Sequence, residues 1–154
     1  MKNILGNIYR SLHMPKNLQL FVMRLLHDKF LVGVTGIILN DKKEILVFKH
    51  TYRSHQWSLP GGYLTAGEHP QEAIEREIKE ESGFTICIDE ALKIRTDRES
   101  ARLDLCYIGT YIGGEFTPTK EVSEYGFFSM DNLPLLRKNQ LFLINEVLKD
   151  HIDK

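Results

Sequence analysis

The segment REIKEESGF, residues 76–84, constrains the fold more than any other part of this chain, because it sets three glutamates within five positions and then ends at a glycine. If the segment is helical, Glu77 is a neighbour of both Glu80 and Glu81, at spacings of three and four residues. Like charges at these spacings oppose helix formation by about 0.2–0.5 kcal/mol per pair. Two explanations are open: a helix face in open water, or a bound cation.

The flanking residues predict a helix over residues 70–82. Pro70 suits the first helical position, where its missing N–H has no intrahelical partner to lose. His69 then becomes the N-cap residue, which is a weaker choice than Ser or Thr. Gly83 follows at the position where a left-handed residue ends a helix.

Ile74 and Ile78, four residues apart, mark the side of this helix that faces the core. Three carboxylates border that apolar stripe: Glu77, Glu80 and Glu81. Three other side chains are expected to point away from it: Arg76, Lys79 and Glu72. Beside a core the effective dielectric is low, which enlarges the repulsion between carboxylates. A divalent cation would reverse that penalty, because carboxylate oxygens are the ligands that Mg²⁺ prefers.

The residues just before the helix, LPGGYLTAGE, supply Gly61, Gly62 and Gly67. Glycines let the backbone turn sharply and approach a ligand closely, and a nearby helix N-terminus favours anions. Taken alone, this is also what an ordinary turning loop looks like. The loop and the acidic helix together are more specific than either.

Residues 62–84 resemble the signature of the Nudix hydrolases, G-x5-E-x7-R-E-U-x-E-E-x-G-U, where U is a bulky apolar residue. All fixed positions are matched: Gly62, Glu68, Arg76, Glu77, Ile78, Glu80, Glu81, Gly83 and Phe84. From average residue frequencies, a chance match in a chain of this length is on the order of 10⁻⁷. The resemblance covers this box in detail, and the strand pattern of residues 30–130 is also similar to that of the family.

The resemblance implies a metal site and a reaction. Its ligands to Mg²⁺ or Mn²⁺ would be the carbonyl of Gly61 and the carboxylates of Glu77, Glu80 and Glu81, with Gly62, Glu68 and Arg76 supporting the site structurally. The family uses such metals to offset charge on a diphosphate and to activate a water that attacks phosphorus. A carboxylate takes the proton of that water.

The identity of this general base is open. Glu77 or Glu80 is one option, and Glu121 downstream in KEVSEYGFF is another, with Glu124 beside it. Exposed charge at a strand edge is the alternative reading of the downstream pair.

The implied activity is cleavage of the pyrophosphate bond in a nucleoside diphosphate linked to another moiety, such as ADP-ribose or a nucleotide sugar. A proline found in many ADP-ribose members, and a tyrosine found in many dinucleoside polyphosphate members, are both absent from TDRESAR. Candidate substrate contacts are Arg53, Trp57 and Arg98, because arginine binds phosphate bidentately and an aromatic ring stacks on a base. Further candidates are Lys49, His50, Arg95 and Arg102.

Two alternative functions belong beside this one. The first is a pyrophosphohydrolase acting on nucleoside triphosphates or on RNA 5′ ends, which favours a more basic groove than the composition indicates. The second is a non-catalytic nucleotide-sensing Nudix module. Such modules often lose the carboxylates of the box, whereas all are present here.

The remaining pattern predicts an α/β fold, a Nudix-like α/β/α sandwich with a mixed β-sheet. Strands are expected at FLVGVTGIIL and EILVFK around the turn NDKK, then at HQWSLPGG, FTICI, RLDLCYIGTYI and EYGFFSM. A final helix is expected over LPLLRKNQLFLINEVLKD, with Leu141, Ile144 and Leu148 on one face.

The first 29 residues differ from the rest: they carry a charge of +4 against −5 for the remainder, and their apolar residues follow two amphipathic patterns separated by Pro15. We therefore predict a basic amphipathic N-terminal helical segment at 1–29 and a Nudix hydrolase domain at 30–154. Such a segment usually packs on its own domain or on a second subunit, which makes a homodimer possible; an anionic membrane surface is the alternative.

The overall composition adds limits on partners and location. The formal net charge of −1 gives no reason to expect an obligate nucleic-acid partner. Cys87 and Cys106 are expected to be reduced and packed. With no apolar run long enough to span a bilayer and no signal peptide, a cytoplasmic location and a nucleotide-type small-molecule substrate are expected.

Overall fold

The computed structural model describes residues 15–53, 56–97 and 101–152. Its elements are, in chain order, α1 (Lys16–Leu26), β1 (Leu31–Leu39), β2 (Ile45–His50), β3 (Trp57–Ser58), β4 (Gly61–Tyr63), α2 (Pro70–Ser82), β5 (Thr85–Asp97), β6 (Arg102–Gly113), β7 (Val122–Phe128), a 3₁₀ turn (Met130–Asn132) and α3 (Lys138–Ile152). The predicted mixed sheet with helices is confirmed.

Strand β1 is the centre of the sheet. It pairs in parallel with β6 along its whole length, from Leu31 opposite Arg102 to Leu39 opposite Thr110. The strand order is β3-β2-β1-β6-β5, with β4 also paired to β1 and β7 to β2. Residues 33–39 of β1 are buried without interruption, as expected for a strand covered on both faces.

The predicted β1–β2 hairpin forms, but its strands part after a single pair, Leu39 opposite Ile45. The side chain of Asn40 stabilises the turn, since its Oδ1 accepts hydrogen bonds from the N–H groups of Lys42 and Glu44 at 2.9 Å. Beyond this point β2 pairs with β3 and β7, while the short strand β4 takes the free edge of β1. The sheet therefore opens between β4 and β2.

Two apolar clusters form the core on opposite faces of the sheet. One contains Ile37 and Ile45 and is closed by Leu143 and Ile144 of α3. The other contains Val34, Ile38, Leu46 and Phe48 and is closed by Ile74 and Ile78 of α2. Neighbouring residues such as Ile37 and Ile38 enter different clusters because successive side chains of a strand point to opposite faces.

Three predicted element boundaries are corrected. Gly61 and Gly62 lie in strand β4 rather than in a loop. Strand β5 runs to Asp97, well beyond the predicted FTICI, because its hairpin with β6 continues. The last helix begins at Lys138 rather than at Leu133, whose extended backbone (φ −57°, ψ 135°) is typical of the residue before a proline.

The packing of the last helix and of the cysteines also differs from expectation. Ile144 is buried as predicted, but Leu143 and Val147 accompany it, and Leu141 is only partly buried. The side chain of Leu148 lies outside the described residues. Cys106 is buried and Cys87 is exposed, and both are free.

The chain divides into two compact units at Phe30 and Leu31. In the first unit the structure describes α1, in which no residue is buried; Leu18, Phe21 and Leu26 are between 46% and 66% exposed. The first predicted amphipathic pattern, in residues 4–12, lies outside the described residues. Within the described ranges, no helix is both long and apolar enough to cross a bilayer.

Candidate functional site

Strand β4 delivers the chain into α2 and places its glycines against two neighbours. A side chain at Gly61 would come within 2.3 Å of the carbonyl oxygen of Val34, so the tight β4–β1 pairing requires glycine. A side chain at Gly62 would come within 2.1 Å of the Glu77 carboxyl carbon. The Glu77 carboxylate therefore lies directly on the β4 backbone, where it also accepts a hydrogen bond from the N–H of Tyr63 at 3.3 Å.

Helix α2 has the predicted bounds, and its ends are satisfied locally. Glu72 accepts a hydrogen bond from the N–H of His69 at 2.8 Å, which strengthens an otherwise weak N-terminal cap. Gly83 adopts the left-handed conformation (φ 81°) and its N–H bonds to the carbonyl of Lys79. The helix is thus fixed at both ends around its three central glutamates.

Arg76 does not point away from the carboxylates, and this corrects the sequence interpretation. Its guanidinium folds back to make a bidentate ion pair with Glu68 at 2.9 and 3.0 Å. The same group bonds Glu77 at 3.0 Å, Glu80 at 3.2 Å and the carbonyl oxygen of Tyr63 at 3.1 Å. A planar group with five donors can serve all of these partners at once, so Arg76 ties the loop, strand β4 and α2 together.

Glu68 is held in its ionised form by this arrangement. Its hydrogen bonds from Arg76, and one from the N–H of Thr65 at 2.6 Å, lower its pKa to about 2. The same contacts raise the pKa of Arg76 above its ordinary value. The geometry agrees with the supporting roles that the resemblance implies for these two residues.

Glu81 has the most unusual environment of the three helical carboxylates. Its residue is 7% exposed, and its Oε2 atom is buried with no hydrogen-bond partner among the described residues. Burial, and then the negative charge of Glu77, raise its pKa to about 8, with smaller contributions from Glu121 and Glu80 and an opposing one from Arg53. A buried, unpaired carboxylate costs several kcal/mol when ionised.

These groups fit a hard divalent cation in their chemistry, although they are not arranged around one. Among the residues that the structure describes, no three acidic, histidine or cysteine side chains converge as a preformed metal site. Arg76 instead holds the carboxylates of Glu77 and Glu80 on its own guanidinium. The donors are nevertheless all oxygens, as Mg²⁺ and Mn²⁺ require. A positive charge beside the Oε2 atom of Glu81 would offset the free-energy cost of ionising this buried carboxylate.

The two downstream glutamates have different surroundings. Pairing of β2 with β7 brings Glu121 close to the site, where its backbone carbonyl accepts a bond from the N–H of Thr51 at 3.0 Å and its charge acts on Glu81. Glu124 instead pairs with Lys49 at 2.7 Å on the surface. The structure thus separates Glu121 from Glu124 as a candidate base.

A cleft of about 950 Å³ opens on the face of β4 and β1 opposite to α2. Gly61 and Gly62 form part of its wall, as does Thr35, whereas the adjacent Val34 faces α2. Among the residues that the structure describes, four arginines line the cleft: Arg53, Arg95, Arg102 and Arg137.

Arg53 connects this cleft to the carboxylates. It bonds the Ser58 hydroxyl at 2.9 Å and the Tyr52 hydroxyl at 3.3 Å, and its charge lowers the pKa of Glu81. The acidic side chains and the arginine-lined cleft therefore flank the same short strand.

The other sequence-predicted substrate contacts have mixed outcomes. Trp57 does not line the cleft; it packs edge-on against Phe128 with ring centroids 5.4 Å apart. His50 is buried as well, and burial lowers its pKa to about 4. Arg98 lies outside the described residues.

Sequence reasoning missed several residues of the cleft: Tyr52, Tyr63, Asp104, Arg137 and Asn139. Asp104 gave a usable signal, since it interrupts the apolar run RLDLCYIGTYI at a strand position. Arg137 and Asn139 gave none, because both fell inside a stretch predicted to be entirely helical. Their place in the cleft depends on where α3 begins.

Comparisons with known proteins match most of this chain to one family. A family model described as "NUDIX domain" matches residues 29–149. A protein named ADP-ribose pyrophosphatase from Methanocaldococcus jannaschii is 32% identical over 126 residues, covering 79% of this chain and 72% of that protein. A mouse protein named 8-oxo-dGDP phosphatase is 28% identical over 126 residues, and the match covers 78% of this chain but 38% of the mouse protein.

Solved structures agree on the fold. A structure titled as an ADP-ribose pyrophosphatase from Streptococcus suis has a TM-score of 0.62 at 27% identity, covering 77% of this chain and 92% of that one. Another, titled as a UDP-X diphosphatase, has a TM-score of 0.70 at 23% identity, covering 97% of this chain and 79% of that one. At that lower identity the second likeness establishes the fold alone.

Proposed function

The chain belongs to the NUDIX domain family and is a Nudix pyrophosphohydrolase, and from that premise we propose that it cleaves a nucleoside diphosphate linked to another group, with Mg²⁺ or Mn²⁺ as cofactor. The observation that carries the proposal is the buried, unpartnered carboxylate of Glu81 beside Glu77, Glu80 and Glu121. Such a cluster is costly in the absence of a cation, and family members bind a metal with the matching carboxylates.

The proposed ligands are Glu77, Glu80 and Glu81, together with the carbonyl of Gly61. When bound, the cation would supply charge neutralisation on the diphosphate and activation of a water molecule. Arg76 and Glu68 would keep α2 and the loop in place around these ligands.

We propose Glu121 as the general base, with Glu77 and Glu80 as the alternatives. Its carboxylate is exposed and has no ion pair among the described residues, whereas Glu77 and Glu80 are both bonded to Arg76. A carboxylate that is neither a ligand nor an ion-pair partner remains available to accept a proton.

The cleft supports a substrate larger than a diphosphate. Its volume of about 950 Å³ lies at the upper end of the range for small-molecule sites, roughly 300–1,000 Å³. Relatives named for ADP-ribose pyrophosphatase activity favour this substrate class. The four arginines that line the cleft among the described residues also keep nucleoside triphosphates as a second candidate.

A substrate panel tests the proposal. ADP-ribose, nucleotide sugars, dinucleoside polyphosphates, nucleoside triphosphates and triphosphorylated RNA are each incubated with Mg²⁺ or Mn²⁺. We expect ADP-ribose or a nucleotide sugar to give a nucleoside monophosphate and a phosphorylated second product. Glu80→Gln is expected to lose this activity, whereas Glu75→Gln, a change at an exposed glutamate of the same helix, should keep it. A folded protein that cleaves none of these compounds with either ion would refute the proposal.

We also propose that the chain divides into an N-terminal segment and a catalytic domain. The family match begins at residue 29 and the second compact unit at Leu31, which supports a catalytic domain at 30–154 preceded by a separate helical segment. Light scattering and hydrolysis by the full chain and by residues 30–154 would show whether residues 1–29 serve dimerisation, catalysis or neither.

A further inference from the structure

The far end of the cleft contains an arginine pair with no part in the chemistry above. The guanidinium of Arg102 lies flat over Gly33 of β1, where a β-carbon would come within 2.6–2.8 Å of it. The Cζ atom of Arg102 also lies over the ring of Tyr63, 5.2 Å from the ring centroid. Gly33 thus provides the space in which this charged group rests.

Asp104 orients Arg102 and a second arginine. Its carboxylate accepts bonds from Arg102 at 3.1 Å and from Arg95 at 2.8 Å, and the Thr35 hydroxyl donates to it at 3.0 Å. Arg95 also bonds the carbonyl of Asn139 at 3.0 Å. The two guanidinium groups are therefore fixed in position before any ligand arrives.

The pair is not fully satisfied by the protein. Among the described residues, the two positive charges share the single carboxylate of Asp104, and the Nε atoms of Arg95 and Arg102 are both buried with no hydrogen-bond partner. Buried donors in native structures nearly always have a partner. Both guanidinium groups remain partly exposed at the cleft wall, and their excess positive charge is suited to bind an anion there.

This arginine pair lies apart from the carboxylates of α2. In the sheet, Tyr63, Gly33, Asp104 and Arg95 stand opposite one another on four successive strands. Adjacent strands are about 4.8 Å apart, so the backbone of Asp104 is about 10 Å from that of β4. The Arg102 guanidinium lies nearer to β4, over Gly33, but on the face of the sheet opposite to α2. Arg53, whose charge reaches Glu81, marks the catalytic end of the cleft instead. A diphosphate at the carboxylates leaves the arginine pair to another part of the substrate.

We propose that Arg95 and Arg102, oriented by Asp104, form a second anion site that selects substrates carrying an extra phosphate monoester or carboxylate outside the diphosphate. This inference rests on the proposed function. It adds to it a specificity for the chemistry of the group attached to the nucleoside diphosphate.

Matched pairs of compounds test the selectivity. 2′-Phospho-ADP-ribose is compared with ADP-ribose, and UDP-glucuronate with UDP-glucose, so that one arm adds a phosphate and the other a carboxylate. Charge-assisted hydrogen bonds are stronger than neutral ones, so we expect kcat/KM to favour the charged member of at least one pair by about 10- to 100-fold, through KM. The arm that shows the preference identifies the anion.

Two variants remove the arginine pair in different ways. Gly33→Ala displaces the Arg102 guanidinium without removing its charge, and Arg102→Gln removes the charge. Both are expected to reduce the preference to less than about threefold, whereas Arg24→Gln, at an exposed arginine of α1, should retain it. Equal kcat/KM within both pairs, or a preference that survives both variants, would overturn the proposal.

Binding separates this inference from the proposed hydrolysis. Calorimetric titration of the full chain with 2′-phospho-ADP-ribose, ADP-ribose and the two UDP-sugars, without added metal, measures the same preference in the absence of turnover. If no compound is hydrolysed but a charged member binds at least tenfold more tightly in an Arg102-dependent manner, the proposed reaction fails and the anion site stands. If a compound is hydrolysed but the charged and uncharged members bind equally well, the proposed reaction stands and the anion site is refuted.

Discussion

Replacement of Glu81 by glutamine is expected to stabilise the metal-free protein at alkaline pH. In the folded chain the pKa of Glu81 rises to about 8, mainly because the side chain is buried, whereas an unfolded glutamate titrates near 4.5. The folded state therefore retains a proton that the unfolded state has lost, and its stability decreases as the pH rises from about 4.5 to about 8. A tenfold change in proton affinity corresponds to about 1.4 kcal/mol, so the full loss is on the order of 5 kcal/mol.

Glutamine has nearly the shape of a protonated glutamate and does not titrate. The free energies of unfolding of the parent and Glu81→Gln should thus be similar near pH 5 and diverge by several kcal/mol at pH 9. Urea denaturation in the presence of EDTA, at intervals between pH 5 and pH 9, measures this difference. Glu75→Gln serves as the control, since Glu75 is exposed on the same helix, and should follow the parent at every pH.

Added Mg²⁺ supplies the second half of the experiment. A cation that binds only the folded protein stabilises it, so the parent should recover at pH 9 in proportion to ion concentration and Glu81→Gln should recover much less. If the parent and Glu81→Gln have parallel stability curves from pH 5 to pH 9 in EDTA, Glu81 carries no buried charge. If Mg²⁺ stabilises both proteins equally at pH 9, the cation does not act on Glu81.

Four further outcomes are expected. Arg76→Lys keeps the charge but loses the bidentate geometry, and kcat/KM should fall by about 10- to 100-fold, as for other residues that orient metal ligands. Gly62→Ala places a methyl group against the Glu77 carboxylate, so the Mg²⁺ concentration for half-maximal activity should rise about tenfold or more; an unchanged value would contradict the close approach. Glu121→Gln should lower kcat, and unchanged turnover would remove Glu121 as the base. Because burial lowers the pKa of His50 to about 4, the parent should lose stability as the pH falls from about 6.5 to about 4, and His50→Gln should lose less in the same denaturation series.

The sequence predicted best what is decided by neighbouring residues. The bounds of α2 followed from Pro70 and Gly83, and the burial of Ile74 and Ile78 from helical spacing, because caps and periodicity are local properties. The central strand β1 was also predicted from local sequence, because an unbroken apolar run is typical of a strand covered on both faces of a sheet.

What the sequence could not predict depends on pairing between distant residues. Arg76 was expected to point outward because a helical wheel takes no account of Glu68 and the carbonyl of Tyr63, which draw its side chain back. Asp104 acquires its role only when β6 lies beside β1 and β5, which brings Thr35 and Arg95 to it. Spacing along the chain carries no information on either contact.

The beginning of α3 is an intermediate case. The residues of LPLLRK have good helical propensity, but Leu133 precedes a proline and continues as extended chain, and Leu136 enters the core before the helix starts. The rule for residues before proline was available from the sequence. The burial of Leu136 in the core, which competes with helix formation, could not be predicted from the sequence.

Strand β4, three residues long and two of them glycine, separates the acidic helix from the arginine-lined cleft by the thickness of one backbone. The proposed metal ligands and the proposed substrate cleft thus lie on opposite sides of this strand and share almost no side chains. Substitutions confined to the cleft should therefore alter substrate preference without displacing the carboxylates of α2.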